Sequence, residues 1–142
     1  MEIRRANPND LLGIEEIEQL SFSDPWSRKD ISAYICSEDG MCFVALEDGK
    51  PVAYVIGRII PPEGEIYRIA THPDKRKRGI GYRLLSFALK TERGRGLETT
   101  FLEVRSRNTA AINLYLAHGF ERISTRRAYY KNPDDDAVIM ML

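Results

Sequence analysis

The chain predicts an α/β fold: a mixed, mainly antiparallel sheet with a central parallel β-α-β crossover and helices on both faces. Three observations carry that prediction. Apolar runs of strand composition recur along the 142 residues, separated by segments of helical period. Two of these runs meet at Asp48-Gly49, a strong hairpin turn. Ile66 to Thr71 and Thr99 to Val104 are instead separated by a helix-length segment, which calls for a right-handed crossover between parallel strands. Residues 1–142 read as a single domain: 43% hydrophobic content suffices for one core, and no repeat or linker divides the chain.

Each element follows in order. Glu2 to Ala6 reads as a short strand. Asn7-Pro8-Asn9-Asp10 supplies turn and cap residues for a helix with apolar positions Leu11, Ile14, Ile17 and Leu20. Ser23-Asp24-Pro25-Trp26-Ser27 interrupts that period, and Ser27 caps a second helix carrying Ile31, Tyr34 and Ile35. Met41 to Leu46 and Pro51 to Ile60 are the two arms of the hairpin. Pro61-Pro62-Glu63-Gly64 reads as a loop before the strand Ile66 to Thr71. Ile80, Leu84, Leu85, Ala88 and Leu89 recur at helical spacing, so Gly79 to about Arg93 is a helix, which Gly94 and Gly96 end. Thr99 to Val104 is the next strand, and Asn108 to His118 a helix closed by Gly119. Arg122 to Tyr130 and Ala137 to Met141 complete the sheet across a polar loop, Lys131 to Asp136.

Charge and composition exclude several function classes. Twenty-one basic and twenty-one acidic residues cancel, which argues against direct nucleic-acid binding or a membrane surface as partner. Cys36 and Cys42 make neither a disulfide framework nor a metal quartet and read as reduced thiols. The start, Met1-Glu2-Ile3-Arg4-Arg5, lacks the apolar core of a signal peptide, and no run reaches the length of a membrane span. A soluble, cytoplasmic protein is expected. His72 and His118 have no Cys or Ser constellation beside them, and Asp134-Asp135-Asp136 reads as a solvated loop, so no metal site is predicted.

Basicity does concentrate between Lys75 and Arg95. Arg76-Lys77-Arg78-Gly79-Ile80-Gly81 turns from strand into helix, where uncapped N–H groups and the helix macrodipole favour an anion. Glycine lets a phosphate approach the backbone, and flanking cations add charge-assisted hydrogen bonds. The turn does not fit a nucleotide P-loop. Gly79 and Gly81 match the start of a dinucleotide fingerprint, but Leu84 stands at its third glycine. A merely solvated basic helix start is the plain alternative when the turn is taken alone.

Other segments narrow the choice. Arg76-x-x-Gly79-x-Gly81, Asn108-Thr109-Ala110-Ala111-Ile112, Tyr115 and Gly119-Phe120 together resemble the GNAT superfamily of acetyl-CoA-dependent N-acetyltransferases, whose element order agrees from end to end. Pro25-Trp26-Ser27, Leu102-Glu103-Val104-Arg105, Tyr129-Tyr130 and Asp136-Ala137-Val138-Ile139-Met140 are similar to its ribosomal-protein-alanine N-acetyltransferases. The resemblance implies a GNAT-like sheet and acetyl-CoA as co-substrate. It implies that the turn from Arg76 through Lys77, Arg78, Gly79, Ile80 and Gly81 holds the pyrophosphate, with Asn108 and Tyr115 also at the cofactor. Tyr82, just past the second glycine, is a further candidate, either packing or binding. The strand Ile69, Ala70 and Thr71 would pair with the pantetheine amides.

Amide formation from a thioester needs a neutral amine and a proton for the departing thiolate. Glu103, in an apolar strand, reads either as half of an ion pair with Arg105 or another base, or as a general base. Tyr115 reads either as core beside Ile112 and Leu116 or as a general acid. The resemblance points to catalysis for both. An α-amine is neutral about two hundred times more often than a lysine near neutral pH, which favours a protein N-terminus as acceptor. The resemblance narrows this to the N-terminal alanine of a ribosomal protein, with Trp26, Tyr129 and Tyr130 as candidate substrate contacts and acidic Asp134 and Asp135 attracting its basic tail. Neither cysteine lies near the expected thioester, so direct transfer is expected; a monomer or weak dimer is expected as the acting form. A small-amine (polyamine-like) acetyltransferase and a non-catalytic acetyl-CoA-binding module remain the other readings.

Overall fold

The computed structural model describes residues 1–142. One sheet holds seven strands in the order β1-β2-β3-β4-β5-β7-β6. These are β1 Glu2–Arg5, β2 Gly40–Glu47, β3 Lys50–Ile60, β4 Glu63–Thr71, β5 Thr99–Arg105, β6 Glu121–Tyr130 and β7 Asp135–Met141. The helices are α1 Leu11–Ser21, α2 Arg28–Cys36, α3 Ile80–Arg93 and α4 Thr109–Ala117. Only β4 and β5 pair in parallel, with α3 as their crossover, and every other pair is antiparallel. This is the order and the mixed sheet the sequence predicts. No helix is long and apolar enough to cross a membrane.

Local chemistry sets the helix starts. Ser27 caps α2 by accepting the Asp30 N–H at 3.1 Å, and Asn108 caps α4 by accepting the Ala111 N–H at 3.2 Å. Before α1, Asn7 and Asp10 form a reciprocal capping box around a 3-10 turn. One boundary differs from expectation: β4 begins at Glu63, not Ile66. Pro61-Pro62 makes a two-residue turn, so Glu63 and Gly64 already pair with Ile60 and Ile59.

The sheet separates two cores. Phe43, Val55, Ile66, Leu84, Leu102 and Tyr115 belong to the one under α3 and α4. Ile14, Ile17, Ile31, Val44, Tyr54 and Ile56 belong to the one under α1 and α2. β2 and β3 are therefore covered on both faces, which explains their nearly unbroken apolar runs. Leu20 is 54% exposed, against expectation. The buried stripe of α1 runs Ile14, Ile17, Glu18, so a carboxylate occupies the place after Ile17.

Two irregularities shape the site. α1 and α2 pack on β2, β3 and β4, leaving the same face of β5, β7 and β6 uncovered. The parallel pairing of β4 with β5 stops at Ile66 and Leu102. A bulge opposite Ile56 and Gly57 adds Tyr67 to β4 at that point. From Tyr67 to Thr71, the side of β4 facing β5 has no strand partner.

The Lys131 to Asp136 run needs correction. β7 begins at Asp135, which is only 8% exposed and accepts from the Ser106 hydroxyl and from the Arg107 and Asp136 N–H groups at 3.1 and 2.8 Å. It ties the β5–α4 turn to β7 and is not free to attract a basic tail. These bonds, the Ser106 hydroxyl first, hold its carboxyl below the usual aspartate value. A lowered folded-state pKa contributes stability that is present above the unfolded value of 3.8 and is lost as pH falls through the folded one. Asp135→Asn is therefore expected to lower Tm near neutral pH, and the difference from the parent should shrink in melts below pH 3.8. A difference of the same size at both pH values would contradict this account.

Candidate active site

The basic turn is built as a helix start without a side-chain cap. Gly79 stands at the N-cap of α3 with φ +76°, a left-handed conformation that costs an L-residue about 1–2 kcal/mol. A Cβ placed on Gly79 would meet nothing within 4 Å, so the backbone faces open space there. Lys77, also left-handed at φ +63°, precedes it. Ile80 is buried and anchors the turn to the core. Gly81 lies against the end of β4, where its Cβ would stand 3.6 Å from Thr71 Oγ1. The first N–H groups of α3 are thus held beside the unpaired edge of Ile69, Ala70 and Thr71.

The Arg76 and Arg78 side chains of the turn pair within the protein. Arg76 folds back, with Nε donating to the Thr71 carbonyl at 3.0 Å and Nη2 to Ser21 Oγ at 3.2 Å. Lys75 and Arg78 lie 3.5 and 3.6 Å from the Glu47 carboxylate. Tyr82 is 48% exposed and stacks on His118, ring centroids 4.2 Å apart. The His118 ring nitrogens in turn lie 2.9 Å from the Leu114 carbonyl and 2.8 Å from Ser86 Oγ, joining α3 to α4. His72 accepts the Asp74 N–H at 3.1 Å and caps a 3-10 turn.

On the uncovered face, β3, β4, β5 and β6 line a cleft of about 620 Å³. Glu65, Tyr67, Phe101 and Glu103 form its floor, with Arg58 and Arg126 at its sides. The Glu103 side chain is 25% exposed, and Arg126 Nη1 lies 3.7 Å from its carboxylate. Arg105 is not its partner. That guanidinium donates to the Lys131 and Pro133 carbonyls at 2.9 and 2.6 Å and sits 4.5 Å over the Tyr130 ring. β6 carries an irregularity between Arg126 and Tyr130, with Ala128 at φ +52° and its N–H held by Asp136 at 2.8 Å. Such a bulge re-aims a side chain. Here it brings Tyr129 close enough to Glu103 for that carboxylate to raise the phenol pKa. Burial, and then Glu103, raise the Glu65 carboxyl. Sequence reasoning missed Glu65, Tyr67, Arg58 and Arg126, because the register of β4 on β5 and of β6 on β7 is not written in local pattern.

Tyr115 lies on the other side. It is 4% exposed on the inner side of α4, its ring 5.5 Å from Phe120, and its hydroxyl makes no hydrogen bond to protein. Burial first, then Tyr130, pushes the phenol well above its ordinary 10. Tyr130 itself is pushed up to about 12 by burial and then by Glu103. Glu103 and Tyr115 occupy opposite faces of the sheet.

Trp26 packs with Tyr34 at 5.2 Å and Tyr67 at 6.2 Å, so it supports the cleft through Tyr67. Nearby, Ser23 Oγ donates to the Asn132 carbonyl at 2.6 Å. That bond joins the α1–α2 connection to the β6–β7 turn across the parted strands.

Residues 11–120 match the Acetyltransferase (GNAT) family. The chain is 36% identical over 142 residues to a ribosomal protein bS18-alanine N-acetyltransferase of Escherichia coli strain K12, covering 99% of this chain and 95% of the relative. It is 36% identical over 131 residues to the N-alpha-acetyltransferase RimI of Mycobacterium tuberculosis, covering 88% and 81%. The crystal structure of the ribosomal-protein-S18-alanine N-acetyltransferase from Escherichia coli superposes with a TM-score of 0.92 at 34% identity, over 99% of this chain and 92% of that one. With the fold, the helix-start turn and the parted strands all in agreement, the chain belongs to the GNAT family of acetyltransferases.

Proposed function

We propose that this enzyme acetylates a protein N-terminus, that of a ribosomal protein beginning with alanine, by direct transfer from acetyl-CoA. One observation carries the reading: the β6–β7 turn, held by Arg105 two residues beyond Glu103, is bridged to the α1–α2 connection where Ser23 meets Asn132. A chain end can pass beneath such a bridge, whereas a lysine in mid-chain would have to bring its flanking backbone through it. Relatives that act on alanine at the N-terminus of a ribosomal protein support the acceptor.

The donor side fits acetyl-CoA, which supplies the acetyl group as an activated thioester. Arg78, Gly79, Ile80 and Gly81 offer backbone N–H groups to the pyrophosphate, with Lys77 adding charge and Arg76 bracing the turn through Thr71. The open edge of Ile69, Ala70 and Thr71, apart from the Thr71 carbonyl that Arg76 takes, is suited to pairing with amides of the pantetheine arm. Asn108 and Tyr82 flank this path. Glu103 removes the proton of the acceptor ammonium, directly or through water, and Tyr115 protonates the departing sulfur. Tyr129 and Tyr130 orient the acceptor beside Glu103. No covalent enzyme intermediate is involved: Cys36 is exposed at the end of α2, and burial pushes the Cys42 thiol up to about 11.

The pair Glu65 and Glu103 gives the small-amine reading one specific support, since two neighbouring carboxylates suit a polycation. Acetyl transfer to peptides differing in their first residue, measured against polyamines, tests the choice. Preferred transfer to alanine-initiated peptides is expected. Exclusive transfer to polyamines would overturn the proposal.

A further inference from the structure

One acid without exposed surface organises the acceptor side of the cleft. Glu18 on α1 accepts the Tyr54 hydroxyl of β3 on one oxygen. Its other oxygen accepts the Trp26 N–H at 2.8 Å and Nη1 of Arg68. Arg68 follows the Tyr67 bulge on β4 and is 13% exposed. Its guanidinium carbon lies 4.3 Å from the Phe22 ring centre and 4.6 Å from that of Trp26. Nη2 donates to the Asp24 carbonyl at 3.2 Å and stands 3.5 Å from the Asp24 carboxylate.

No helix or strand spans Phe22 to Ser27. The segment is placed by contacts at Phe22, Asp24 and Trp26, and all three converge on Arg68 and Glu18. Between these contacts sits Ser23, whose hydroxyl bridges to Asn132. A planar guanidinium can meet two aromatic rings and a carboxylate at once, which an ammonium cannot. An apolar pair of similar volume would serve stability as well as a buried ion pair does, so the charged pair has its use in geometry.

We infer that Arg68, locked by Glu18, is the positioning residue that sets acceptor selectivity. It holds Trp26 against Tyr67 and Ser23 at Asn132, fixing one wall and the bridge of the cleft. It makes no contact with the α3 turn. The inference rests on the proposed peptide acceptor, and it also has a readout independent of that reading.

Arg68→Lys and the double variant Glu18→Gln/Arg68→Met test it. The first keeps the charge and loses the fork; the second removes both charges together, so no buried carboxylate is left alone. In both, the peptide KM is expected to rise about tenfold and preference for the first residue to weaken, with kcat and the acetyl-CoA KM within about twofold of the parent. Trp26 is the only tryptophan in the chain, and its quenching by acrylamide should increase in both variants without any substrate. Parent-like peptide KM, selectivity and quenching in folded Arg68→Lys would overturn the inference. A parent that transfers to no peptide at all would instead remove the acceptor reading, and the quenching comparison would still decide whether Arg68 positions Trp26.

Discussion

Glu103→Gln is expected to lower kcat/KM for an alanine-initiated peptide by about a hundredfold to ten-thousandfold near neutral pH, the range general-base catalysis contributes. The side chain keeps its size, and its one ion-pair partner is a cation at 3.7 Å, so the cleft should keep its shape. What disappears is the group proposed to take a proton from the acceptor. An N-terminal ammonium has a pKa of about 8, and only its neutral form attacks a carbonyl. Without the base, turnover must draw on the small neutral fraction in solution. The deficit should therefore narrow as pH rises through about 8 and the amine loses its proton unaided. The acetyl-CoA dissociation constant should not move, because Glu103 lies on the face away from the α3 turn. Assays of kcat/KM between about pH 6 and 9 make the comparison. A pH-independent deficit would point to a misplaced acceptor instead of a missing base.

The parts of this site differ in how far local sequence announces them. Helical spacing after Gly79 and the apolar run before it place the turn correctly, because strand, turn and helix start are contiguous. Arg76 shows the limit of that reasoning. It looks like a ligand for the anion, yet its guanidinium closes the turn through Thr71 and Ser21. Glu18 stands four residues after Ile14, on the buried face of α1, and nothing local shows what pairs its charge there. Its burial depends on Tyr54 and Arg68, which lie 36 and 50 residues further along the chain. Arg105 is the obvious partner for Glu103, two residues away on the same strand, but its reach is taken by carbonyls of the β6–β7 turn. Arg126 arrives instead, on a strand displaced by a bulge at Ala128. Contiguous signals reveal a backbone site; charges paired across strands do not, since bulges set which side chains meet.

Tyr115→Phe is expected to reduce kcat by about a hundredfold or more while leaving Tm within about a degree of the parent. The stability half follows from the contacts. Phenylalanine keeps the packing against Phe120, and the lost hydroxyl bonds to no protein group. Nothing buried is left unpaired, so the usual penalty for removing a polar partner does not arise. The catalytic half follows from the thiolate, which needs a proton as it departs. A phenol held well above 10 by burial stays protonated across the working range, ready to give its proton only when a strong base forms beside it. The parent should accordingly show no alkaline loss of kcat assignable to Tyr115 below about pH 10. The substitution should also become milder with a donor thioester whose thiol is more acidic, because such a group leaves without help. Full turnover with normal acetyl-CoA affinity would exclude the role of Tyr115 as the acid. A tenfold-scale loss that ignored the leaving group would assign the hydroxyl to binding, since only an acid couples its effect to the basicity of the departing sulfur.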